Sequence, residues 1–80
     1  MIEIGLWVRT AQGETFLITK DPNGYPDLAS LDSPLTGVQA KKEKARMLYE
    51  ALTGQPYPHG HATTRQALWD FLEAAIKHLP

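Results

Sequence analysis

Ile2, Ile4, Leu6 and Val8 alternate with Glu3, Gly5, Trp7 and Arg9, the period of a strand with one buried face. Phe16 and Ile18 alternate with Thr15, Leu17 and Thr19 in a second such run. Between the two lies Ala11-Gln12-Gly13, where a three-residue hairpin loop would place Gly13 in the left-handed conformation that glycine adopts cheaply. That loop sets Val8 opposite Phe16 and Leu6 opposite Ile18, so Ile4, Leu6, Val8, Phe16 and Ile18 share one face. A two-residue loop would scatter the same residues over both faces. Register follows the buried face, which selects the first pairing. The same pairing puts Trp7 beside Leu17 on the opposite face, with Arg9 opposite Thr15. Either a helix or the segment around Tyr25 and Leu28 covers that pair, or the face is an association surface.

Asp21-Pro22-Asn23-Gly24 is turn chemistry. Tyr25 to Leu31 has room for a third strand, which Pro26 would confine to a sheet edge. Thr36 and Gln39 have capping-box spacing, and a helix is expected to run from there to about Leu52, stopped by Thr53-Gly54. Its apolar line is Val38, Ala45, Leu48, Tyr49 and Leu52. Gln55 to Ala62 reads as a loop. From Thr63 to Leu79 the spacing predicts a second helix whose stripe is Ala67, Leu68, Phe71, Leu72, Ala75, Ile76 and Leu79. Thr63 and Gln66 repeat the capping-box spacing, Glu73 and Lys77 sit four apart in the favourable order, and Pro80 follows the helix end. A stripe that wide needs more than one neighbouring helix to cover it.

These elements make a single small α+β domain over residues 1–80. An N-terminal β-hairpin, extendable to a three-stranded antiparallel sheet, packs against two C-terminal antiparallel helices. With 42% apolar and 21% charged residues the chain is composed to fold rather than to remain disordered. It has no cysteine, which removes disulfides and thiolate metal sites and favours a cytoplasmic setting. No apolar run reaches the ~18 residues of a membrane span. The N-terminus carries Glu3 and alternates from the start, unlike a signal peptide. The net charge of −1 gives no general attraction to nucleic acid. Charge is nevertheless unevenly spread: residues 1–33 carry a balance of −3 and residues 34–55 one of +2. An acidic front and a basic middle are placed to attract one another within the fold.

The candidate chemistry is sparse. His59 and His61, one residue apart, can share a metal on extended backbone, but zinc takes three or four such ligands and His78 lies helical turns away. No metal and no cofactor is expected. Lys41, Lys42, Lys44 and Arg46 form a basic run on the middle helix, a candidate contact for an acidic partner or nucleic acid. They spread over more than one side of that helix. Thr63 and Thr64 lie near His61, but a nucleophile needs an oriented base and a third group. Asp27 and Asp32 sit in a turn-rich segment with no metal-binding pattern.

The order of a strand pair, an irregular segment and a helix ending at Thr53-Gly54 is similar to the surroundings of a Nudix box. Met47, Leu48, Ala51 and Leu52 stand where that family carries its arginine and metal-binding glutamates. The run from Phe16 through Asn23-Gly24-Tyr25 into the middle helix resembles the strand–turn–helix half of HicB-type antitoxins, without a DNA-binding segment after it. Neither resemblance lends a function.

The expected function is therefore that of a non-enzymatic interaction module, a small accessory, regulatory or inhibitory protein. It would bind another protein or itself through Trp7 and Leu17, with Arg9 at the polar rim. The alternative is a nucleic-acid-associated regulator that uses the basic helix 38–52.

Overall fold

Strands β1 (Leu6–Arg9) and β2 (Thr15–Lys20) form the hairpin that the alternation predicts. Leu6 pairs with Ile18, Trp7 with Leu17, Val8 with Phe16 and Arg9 with Thr15. The structure, a computed structural model, describes residues 5–78, so Ile2, Ile4 and Leu79 lie outside the described residues. At the turn, the Thr10 N–H donates to the Glu14 carbonyl at 2.9 Å and the Gly13 N–H to the Thr10 carbonyl at 2.9 Å. Gly13 has φ 88°, the left-handed conformation. A β-branched side chain resists that conformation, so Gly13→Val should lower the unfolding free energy by roughly 1 kcal/mol or more. A thermal melt matching that of the parent would show that the loop has no such requirement.

The third strand is real. β3 (Pro26–Ser30) pairs antiparallel with β2 and gives a sheet of order β1-β2-β3, with β3 at an edge as Pro26 requires. The turn into it is built by Asp21, whose Oδ1 accepts from the N–H of Asn23 at 2.9 Å and of Tyr25 at 3.0 Å.

Helices α1 (Gly37–Thr53) and α2 (Thr64–Lys77) both lie on the sheet face that carries Val8, Phe16, Ile18 and Leu28. Ala45, Leu48 and Tyr49 of α1 meet Ala67, Leu68, Phe71, Leu72 and Ala75 of α2 in one core. The wide stripe of α2 is accounted for by this arrangement, because it packs on both α1 and β3. Gly54 ends α1 with φ 71°, and its N–H donates to the Glu50 carbonyl. Thr63 caps α2 by accepting from the Gln66 N–H at 3.0 Å.

Four local expectations need correction. Thr36 stands at the N-cap of α1 but makes no side-chain cap bond. The Gln66 side chain donates to Asp70 Oδ1 at 2.8 Å instead of closing a capping box. Glu73 and Lys77 form no ion pair among the described residues. Leu6, assigned to the buried face, is 46% exposed, because the helices lean towards β3 and leave the start of β1 overhanging. Trp69, outside the predicted stripe, is held by stacking on Tyr25, with ring centroids 4.2 Å apart and planes at 10°.

Candidate protein-interaction surface

With both helices on one face, the other face of the sheet is uncovered by any described element. Register sets Trp7, Leu17 and Ala29 in one row across the three strands. Trp7 is 57% exposed and Leu31, at the end of β3, is 67% exposed. Leu17 is half-buried, partly because it leans over Gly5. A Cβ on Gly5 would stand 2.5 Å from the Ile18 carbonyl oxygen and 2.7 Å from Leu17 Cδ1, so only glycine fits there. Arg9 lies on the same face beside Trp7 and forms no ion pair among the described residues. The residues read as an interface from sequence are thus brought together on one open face. Ala29 and Leu31, which extend it, become visible only once β3 is known to pair with β2.

The basic run of α1 is placed differently. Each of its four cations has a carboxylate partner within the chain. Lys41 Nζ reaches Asp27 at 3.0 Å and Lys44 Nζ reaches Glu14 at 3.3 Å, which ties the acidic front to the basic middle. Lys42 pairs with Glu43 at 3.0 Å, and Arg46 bridges Glu43 at 3.0 Å and Glu50 at 3.1 Å. The hydrogen bond from Arg46, with help from Lys42, holds the Glu43 carboxyl below its ordinary range, and Glu43 in turn raises the Arg46 guanidinium. Exposed pairs of this kind contribute little to stability. They do neutralise the helix locally, so little unbalanced positive charge is left for a polyanion.

The histidine loop gains a partner that sequence proximity did not offer. His61 Nδ1 lies 3.0 Å from Asp70 Oδ2, nine residues away on α2. The His61 ring stacks on Tyr57 with centroids 5.1 Å apart and meets Phe71 edge-on at 4.8 Å. Burial, and secondarily the Asp70 charge, push the Tyr57 hydroxyl above its ordinary range. Together these contacts fasten the loop to α2. A carboxylate that orients an imidazole is also half of an acid–base apparatus. Thr63 Oγ1, two residues further along the chain, accepts from the Gln66 N–H as the cap of α2. Lys42, Arg46, His61 and Thr64 line a groove of about 480 Å³ beside it, with the two cations turned to their carboxylates. His59 contacts Tyr57 edge-on at 5.5 Å and does not join the Asp70 pair. Among the described residues no three His, Cys, Asp or Glu side chains converge as a metal site.

No described helix is long and apolar enough to cross a membrane. Compared with known proteins, the chain matches no family model, and no curated protein or solved structure is significantly similar to it.

Proposed function

We propose that this protein is a non-enzymatic interaction module that binds a protein partner, another chain or its own copy, through the outer sheet face. The observation that carries this reading is the exposure of Trp7 beside Leu17, with Ala29 and Leu31 continuing the apolar row. Tryptophan is enriched among the residues that anchor interfaces, and a small domain gains stability by burying such a row between molecules. Arg9 supplies the polar rim. A regulatory or inhibitory role in the cytoplasm suits a cysteine-free chain of this size. The nucleic-acid alternative is weakened by the internal pairing of Lys41, Lys42, Lys44 and Arg46.

The test is Trp7→Ala, read by sedimentation of the protein alone and with any captured partner, and by thermal melting at several concentrations. Loss of an anchor should weaken association by about 2 kcal/mol or more, roughly thirtyfold in Kd. The melt at low concentration should stay near that of the parent. If instead the parent binds nothing and the variant simply unfolds, Trp7 belongs to the core and the reading fails.

A further inference from the structure

The two edges of this sheet are not alike. The Thr10–Glu14 bond fixes the alternation along the hairpin, so Leu6 and Val8 turn their backbone groups to β2 while Trp7 and Arg9 turn theirs outward. On the far side, the bond from the Leu31 N–H to the Thr15 carbonyl leaves Pro26, Leu28 and Ser30 facing outward from β3. That edge is blunted. Pro26 has no N–H, and the Leu28 N–H is taken by Asp27 Oδ1 at 2.8 Å. β1 carries no such protection: it has no proline, no bulge interrupts its register, and no described side chain accepts from the N–H of Trp7 or Arg9.

We propose that β1 pairs antiparallel with β1 of a second copy of this chain, about a two-fold axis at Val8, to form a six-stranded sheet. This rests on the role of Trp7 in the interaction reading above and names a second copy as partner, joined at the sheet edge rather than across the whole face. Three observations fit that register. On the outer face, Trp7 comes opposite the partner's Arg9, so each indole meets a guanidinium that forms no ion pair among the described residues, an attraction of cation–π type. On the helix face, Leu6 comes opposite the partner's Thr10. Thr10 lies with Arg9 and Gln12 at the rim of a cleft of about 310 Å³ between β1 and α1, whose apolar lining includes Val8, Leu48 and Leu52. Each exposed Leu6 is thereby set beside the partner's cleft. Finally, one open edge per chain closes the assembly at two copies, where two open edges would propagate a filament.

Alternative registers fit less well. An axis at Arg9 would oppose two guanidinium groups, and an axis at Trp7 would set Arg9 against a glycine. A four-residue strand with Leu6 and Trp7 buries less than the ~1,600 Å² of a standard interface, so the dimer should dissociate on dilution.

Sedimentation from about 1 μM to about 1 mM, the range that weak interfaces occupy, reads the association. The parent should dimerise, Trp7→Ala, which removes the anchor from both chains, should raise the dimer Kd by roughly thirtyfold or more, and Arg9→Pro, which removes an outward N–H, should abolish the dimer. Because the chain has no cysteine, Val8→Cys offers a second readout. Across the axis the two Val8 positions form a non-hydrogen-bonded pair about 4.5 Å apart at Cα, within disulfide reach, so mild oxidation should cross-link them. Leu6→Cys, displaced from its copy by four residues along the strand, should stay uncross-linked. A parent that is monomeric throughout overturns the proposal, and the interaction reading then stands or falls on Trp7-dependent binding of a different protein. A dimer lost in Trp7→Ala but kept in Arg9→Pro, without the Val8 cross-link, means face-to-face stacking. That outcome overturns edge pairing and leaves the interaction reading intact. Should Arg9→Pro fail to fold, the contrast between the two cysteine variants decides alone.

Discussion

Phe16→Ala should lower the unfolding free energy by about 3–5 kcal/mol, the range for truncating a buried aromatic residue. Phe16 is 2% exposed, on the central strand, with Val8 and Ser30 as its cross-strand neighbours. It cannot be replaced by a shift of its surroundings. On one side it borders a groove of about 370 Å³ lined also by Met47, Leu48 and Ala51, and truncation would extend that opening into the core. A domain of 80 residues has only about 4–12 kcal/mol in total at ordinary stability per residue, so this one side chain carries a large share. Urea unfolding should show a lower midpoint with an unchanged slope, the signature of lost stability rather than a changed native surface. A loss below about 1 kcal/mol would place Phe16 outside the core and, with it, the register that puts it there.

That register was legible because one constraint decided it. Of the two- and three-residue hairpin loops, it is the three-residue loop ending at Gly13 that gathers Leu6, Val8, Phe16 and Ile18 on one side, and those pairs form. Both helices were legible because apolar spacing marks a helix, whereas the third strand was left open by the sequence, which said only that Pro26 would confine such a strand to an edge. Which face the helices cover was not legible. Two amphipathic helices can share one face of a sheet or take one each, and the choice rests on contacts between α2 and both α1 and β3 that no periodicity encodes. The fate of Trp7 followed from that choice. Trp69 was missed because a stacking partner, Tyr25, comes from a distant turn rather than from the helical stripe. The His61–Asp70 pair was missed because the loop itself holds no second acid and α2 supplies one across nine residues. The charge asymmetry was visible only in bulk, and the structure resolves it into two long-range pairs, Lys41–Asp27 and Lys44–Glu14.

The two helices differ in what they contribute, and Leu72→Ala against Met47→Ala measures the difference. Leu72 is 0% exposed in the stripe of α2, the helix that packs on both α1 and β3. Removing its branched end leaves a cavity in that shared core, at an expected cost of about 2–5 kcal/mol. Met47 directly follows the basic run on α1 but is 49% exposed over the groove beside the hairpin, so its loss should stay within about 0.5 kcal/mol. Equilibrium unfolding of both variants gives the comparison directly, and native-state hydrogen exchange adds where the loss falls. Protection should drop across α2, β2 and β3 together in Leu72→Ala, because one core joins them. Comparable losses in the two variants would mean that α1 is covered on its Met47 side, by a second chain or by packing that the isolated fold does not have. The concentration dependence of the Met47→Ala melt separates those two causes, since only association makes the melt depend on protein concentration.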